Sequence, residues 1–156
     1  MRPLMRFLIL ATLLLAGCGK EIGDACVVSS DCSPNGDRMC DISQAEGYCT
    51  VMGCDYSTCP EESACIRFFT GSFSNKTCEN SPDECSFDEL CDLNKRCVPE
   101  SAEVRYCMRT CESNDDCRDG YECRDIALMK AHGGEPVLEP GRAVDDSSPS
   151  FCAIAP

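Results

Sequence analysis

Tryptophan is absent from this chain, histidine occurs once, and aromatic residues make up 6% of its 156 positions. Large rings dominate what a core can bury, so this poor supply excludes a thick apolar interior as the main source of stability. No two cysteines stand at C-x2-C spacing, and one histidine cannot complete the usual zinc sets. Thioredoxin-like exchange, c-type haem attachment and zinc ligation are excluded together. Basic residues are few and scattered, 14 against 27 acidic ones. Nucleic-acid binding, which needs clustered Lys and Arg to displace counterions, is excluded as well. No apolar run is long enough to cross a membrane: the longest, residues 7–15, falls short of the roughly 20 residues required.

Cysteine is abundant. There are 17, about an eighth of the residues from position 18 onward, above the roughly 8–10% that marks a disulfide scaffold. The apolar run follows Arg2 and Arg6 and closes on Leu15-Ala16-Gly17-Cys18. That pattern of basic residues, short apolar core and small residues is an export signal, with residues 1–17 as the signal peptide. Setting Cys18 aside leaves sixteen cysteines, an even number that reads as eight disulfides in an oxidising compartment. Removing residues 1–17 takes away two arginines and no acid, which moves the net charge from −13 to −15. The surface is solvated and repels anionic lipid; attraction to a basic partner or a cation is the sharper reading of the same acidity. Residues 18–25 are expected to be a short tether, with 19–25 reaching about 25 Å when extended.

The cysteines repeat. Cys26-Val-Val-Ser-Ser-Asp-Cys32, Cys78-Glu-Asn-Ser-Pro-Asp-Glu-Cys85 and Cys111-Glu-Ser-Asn-Asp-Asp-Cys117 each place Ser or Asn and then an acid before the second cysteine. Cys40, Cys91 and Cys123 follow, with Asp41, Asp92 and Asp125 close behind, and the units end at Cys49, Cys97 and Cys152. Cys54, Cys59, Cys65 and Cys107 are left over, the first three as a degenerate unit. A second register takes the cysteines in sequential fours, 26/32/40/49, 54/59/65/78, 85/91/97/107 and 111/117/123/152, and the spacing does not choose between the two. Either gives a small disulfide-rich fold over 26–156, with about four cysteine units built of turns and short β-hairpins.

Leu15-Ala16-Gly17-Cys18 resembles the lipobox of bacterial lipoproteins, and with the tandem C-x5-C-x5-C units behind it the chain resembles the cysteine-rich lipoproteins of some Gram-negative bacteria. The resemblance implies acylation of the Cys18 thiol and amine and an anchor in the cell envelope, with Gly19 after the cysteine pointing to the outer membrane. It implies no activity. By analogy with other small four-cysteine modules, pairing is first-to-third and second-to-fourth, Cys26 with Cys40 and Cys32 with Cys49. Residues 107–123 also bear a faint likeness to whey-acidic-protein and Dickkopf-type modules, without the adjacent cysteine pair of the first.

Two segments interrupt the framework. Ile66-Arg67-Phe68-Phe69-Thr70-Gly71-Ser72-Phe73 carries a Thr-Gly turn signal and reads as a β-hairpin. Its Phe68, Phe69 and Phe73 are the candidate partner surface, since rings that a thin core cannot hide serve as interface anchors, or else a cover for the disulfides. The long loop 124–151 is expected to begin with a short helix over 126–131, stopped by Gly133-Gly134. His132 reads as an exposed loop residue, because no nucleophile or orienting carboxylate stands at a recognisable spacing.

Two acidic groups echo calcium sites. Asp115, Asp116, Asp119, Gly120 and Glu122 break EF-hand alternation at Cys117, and Asp146, Ser148 and Ser150 give D-x-S-x-S without the α/β sheet that motif requires. Both read as turn chemistry, with weak calcium binding as the alternative and no cofactor expected. Asn75-Lys76-Thr77 is a glycosylation sequon without meaning in a bacterium. The expectation is a non-enzymatic, lipid-anchored envelope protein that binds a partner or maintains structure; a protease inhibitor offering an exposed loop on a rigid frame is the alternative.

Overall fold

The computed structural model describes residues 19–156 except 72, 74 and 80. The signal segment and the expected lipidation at Cys18 lie outside the described residues. The elements in chain order are α1 (Ser29–Cys32), β1 (Met39–Asp41), β2 (Tyr48–Thr50), β3 (Ser63–Phe69), β4 (Glu89–Cys91), β5 (Cys97–Pro99), β6 (Glu103–Cys111), β7 (Tyr121–Arg124), α2 (Ile126–His132), β8 (Glu135–Pro136) and β9 (Ser150–Ile154). The fold is small and disulfide-rich.

Eight bridges join Cys26–Cys40, Cys32–Cys49, Cys54–Cys65, Cys59–Cys107, Cys78–Cys91, Cys85–Cys97, Cys111–Cys123 and Cys117–Cys152. Every unit is therefore paired first-to-third and second-to-fourth, and the sequential register is overturned. Cys54, Cys59, Cys65 and Cys107 form a full unit, opened between its third and fourth cysteines to admit the whole unit of residues 78–97.

One geometric rule holds in all four units. The third and fourth cysteines are direct cross-strand partners in antiparallel pairs, Cys40 opposite Cys49, Cys65 opposite Cys107, Cys91 opposite Cys97 and Cys123 opposite Cys152. Opposed residues of an antiparallel pair point to the same face. Both thiols of each pair thus meet the turn that bears the first and second cysteines, and two bridges clamp that turn onto the strands. What separates the third cysteine from the fourth along the chain is immaterial to the clamp. In the first and third units the strands form tight hairpins; in the second and fourth they enclose long insertions.

Acidic side chains shape the clamped turns. The Asp31 carboxylate accepts from the Val27 and Val28 N–H groups, and the Asp116 carboxylate from those of Glu112 and Ser113. These bonds hold both carboxyls below the usual range. The aspartates behind three of the four third cysteines act locally too: Asp41 accepts from Ser43, Asp92 from Arg96, and Asp125 caps α2 through the Leu128 N–H.

The second and fourth units share β6, which carries both Cys107 and Cys111. Their strands merge into a five-stranded sheet of order β7-β9-β6-β3-β8. The core lies against it, with Ile22, Tyr48, Ile66, Met108, Met129 and Phe151 almost wholly buried. The first unit is fixed to this body by Tyr48, whose ring stacks on Tyr121 at 5.6 Å while its hydroxyl donates to the Cys152 carbonyl and accepts from the Arg109 N–H. Arg118 lies over the Tyr121 ring and donates to the Ala45 and Gly47 carbonyls.

Three expectations are corrected. Residues 19–25 are no tether: Ile22 is fully buried, the Gly23 N–H donates to the Cys49 carbonyl and Arg109 pairs with Glu21 at 3.0 Å. An isolated apolar residue among polar neighbours gave no periodic signal. Residues 66–73 are no hairpin, because β3 runs straight to Phe69 and takes β6 as its partner, Phe69 opposite Glu103, with the Thr70 N–H bonded to the Ala102 carbonyl. Nor is 124–151 all loop beyond the helix: α2 runs to His132, and Glu135–Pro136 then joins the edge of the sheet as β8.

Candidate functional site

The third unit, residues 78–97, lies against the sheet through a buried polar joint. Glu135 on β8 accepts from the Leu93 N–H at 2.6 Å on one carboxylate oxygen and from Arg67 Nε at 2.6 Å on the other. Its residue is 4% exposed, and burial pushes the carboxyl up against the opposing pull of Arg67. Asn94 adds a bond to the Lys130 carbonyl at the end of α2. Sequence reasoning missed this joint. Its only local signal is Glu135 standing before Pro136, a position that favours extended backbone.

Beside the joint, a cleft of about 530 Å³ opens between the third unit and residues 136–144. Leu93 on one wall and Pro136, Val137 and Leu138 on the other are apolar; Arg67, Lys95, Lys130 and Arg142 supply positive charge, and Asp92, Glu135 and Glu139 negative charge. Arg67 is bound to Glu135 and Arg142 to the Ser147 hydroxyl, whereas the Lys95 and Lys130 ammonium groups have no partner among the described residues. A smaller cavity of about 150 Å³ shares Asp92, Leu93 and Glu135 with the cleft and is bordered by Phe68, Phe69, Phe73, Arg96 and His132.

The three phenylalanines are thus brought to one region but divide in role. Phe68 packs edge-on against Phe151 at 6.0 Å and beside Tyr106, so it belongs to the core. Phe69 and Phe73 meet edge to face at 6.4 Å, half-buried, with the Arg67 guanidinium over the Phe69 ring.

His132 is not a loop residue. It ends α2, and its Nδ1 lies 2.6 Å from Glu122 Oε1, which also accepts from Arg124 Nε. Burial pushes the Glu122 carboxyl up, but the bonds from His132 and Arg124 outweigh it and the net shift is downward. Arg124 is buried and satisfies the carbonyls of His132, Gly133 and Ile154. The cluster therefore closes the C-terminus of α2. Among the described residues, no hydroxyl or thiol hydrogen-bonds to His132 to form a nucleophile pair.

Members of both acidic groups are engaged in local hydrogen bonds. Asp116 is occupied with backbone N–H groups and Glu122 with Arg124 and His132. In the second group the turn acid is Asp145, not Asp146: it accepts from the Ser147 N–H and hydroxyl, while Ser150 is already in β9. The sulfur groups, three atoms within 4.8 Å in each unit, are side-by-side bridges without a thiolate to offer a metal. No family model, no curated protein and no solved structure matches this chain.

Proposed function

We propose that the chain is a lipid-anchored protein of the bacterial cell envelope, of the outer membrane where the cell has one, that binds a ligand without transforming it. Eight disulfides belong to an oxidising, exported environment, and no helix among the described residues is long and apolar enough to cross a membrane. The anchor reading is supported by the pairing itself. All sixteen cysteines from Cys26 onward are joined to one another, which leaves Cys18 of the lipobox-like motif without a partner in the chain and suited to acylation.

The ligand site is the cleft beside the Arg67–Glu135 joint. In a chain of strongly negative net charge, four cationic side chains line the cleft against three acidic ones, beside Leu93, Pro136, Val137 and Leu138, and Lys95 and Lys130 have no partner among the described residues. Such a lining suits an apolar ligand carrying an anionic group, and the rigid disulfide frame lowers the entropy cost of holding it. The test is affinity capture from solubilised envelope by the wild type and by a Lys95→Glu/Lys130→Glu variant, with mass spectrometry of what is retained. An anionic component held by the wild type and lost from the variant, at unchanged melting temperature, is expected. Identical retained sets would overturn the assignment of the site.

A further inference from the structure

Beside the point where the described chain begins, the first unit exposes three aliphatic side chains: Val27, Val28 and Ile42 are 79%, 52% and 78% exposed. Val27 and Ile42 flank a shallow depression of about 650 Å³ that Lys20 and Ala25 also line. In the other three units the two positions after the first cysteine are Asp55-Tyr56, Glu79-Asn80 and Glu112-Ser113, led by an acid each time. The fold of the turn does not call for valine there, since Asp116 holds the Glu112-Ser113 turn with the same backbone bonds that Asp31 makes to Val27 and Val28. The apolar pair is confined to the unit nearest Cys18.

We propose that Val27, Val28 and Ile42 form the face on which the body seats against the phospholipid bilayer. This rests on the reading of Cys18 as the lipid anchor. Residues 19–25 are fastened to the body through buried Ile22, the Gly23–Cys49 bond and the hydrogen bonds of Arg38 to the Lys20 carbonyl and of Lys20 to the Ala25 carbonyl. Only two residue steps separate Cys18 from Lys20, so the Cα of the acylated residue can lie no more than about 7 Å from the Cα of Lys20, whose side chain lines the depression. Lipid entering the bilayer at that distance brings the membrane interface onto the aliphatic patch, and the Lys20 ammonium is placed to reach the headgroups. Glu46 on the rim of the same depression disfavours strongly anionic lipid, so the surface that fits is zwitterionic.

The absence of tryptophan makes each introduced indole the only one in the protein. Val27→Trp and Ile42→Trp place a reporter in the patch; Phe87→Trp, at a side chain 99% exposed on the third unit, is the remote control. Each protein, purified with its native lipid from cells, is reconstituted into phosphatidylcholine–phosphatidylethanolamine vesicles containing acyl-brominated lipid. The patch reporters are expected to emit further to the blue and to be quenched at least about twofold more than the control, as for side chains at the headgroup–acyl boundary. Equal quenching at all three positions overturns the proposal. In a second arm, residues 1–18 are replaced by a histidine tag that holds Gly19 on nickel-chelating lipid, and the same contrast is expected. Mass spectrometry of residue 18 tests the anchor separately: an unmodified Cys18 refutes the anchor and with it seating in the cell, whereas an acylated Cys18 with no contrast in either arm refutes the seating face alone.

Discussion

Removing the bridge Cys59–Cys107 tests the nested arrangement of the second and third units more directly than any other change. The bridge closes 48 residues of sequence and encloses the whole third unit, whereas Cys54–Cys65, on the same turn, closes 11. The chain-entropy relation gives about 4 kcal/mol at 25 °C for the long loop and about 3 kcal/mol for the short one. The bridges Cys78–Cys91 and Cys85–Cys97 inside the long loop shorten its effective path somewhat, without bringing it near the 11 residues of the short one. Cys54, Cys65 and Cys107 are buried and Cys59 is partly buried, so Cys54→Ala/Cys65→Ala loses at least as much sulfur packing as Cys59→Ala/Cys107→Ala, and an excess loss of up to about 1 kcal/mol from the long bridge reports loop length. Urea unfolding without reductant measures both losses, and the slope with denaturant should rise when the long crosslink is absent, because the unfolded chain expands. A slope unchanged by Cys59→Ala/Cys107→Ala, together with a larger loss from the short bridge than from the long one, would refute the reasoning. Peptide mapping of the wild type is an independent check: Cys59 found joined to Cys78 rather than Cys107 would restore the sequential register.

Three further outcomes follow from individual residues. Tyr48→Phe should cost about 1–2 kcal/mol, since it leaves the buried Arg109 N–H and Cys152 carbonyl each without a partner. Burial holds the Tyr48 hydroxyl above its ordinary value of 10.0, so this contribution is complete below about pH 10 and is lost as pH rises beyond it. Spectrophotometric titration should show Tyr48 and Tyr121 ionising after an ordinary tyrosine, and the Phe variant should be less sensitive to alkali. Asp31 and Asp116 have carboxyls held below 3.8 by backbone N–H groups, so their stabilisation is present above that pH and fades as pH falls; Asp31→Asn/Asp116→Asn should flatten the acid limb of the stability curve. Gly47→Ala should destabilise by at least about 2 kcal/mol in thermal unfolding, because φ is +68° there and a Cβ would stand 2.1 Å from the Cys26 carbonyl oxygen.

The local devices of this molecule were legible from its residues: the even cysteine count from Cys26 onward, the Asp-rich turns, the aspartates behind Cys40, Cys91 and Cys123, and the helix stopped by Gly133. All act over a few residues, where side-chain chemistry alone sets backbone geometry. The register of the cysteines, the partner of β3, the burial of Ile22 and the Arg67–Glu135 joint were not legible. Each depends on which distant strands lie side by side, and a C-x5-C spacing is equally consistent with a closed unit and with one opened to admit another. Tertiary structure decides it by setting the third and fourth cysteines opposite each other on antiparallel strands. That pairing of faces clamps the turn however much chain runs between them, and it gives the cleft its two walls.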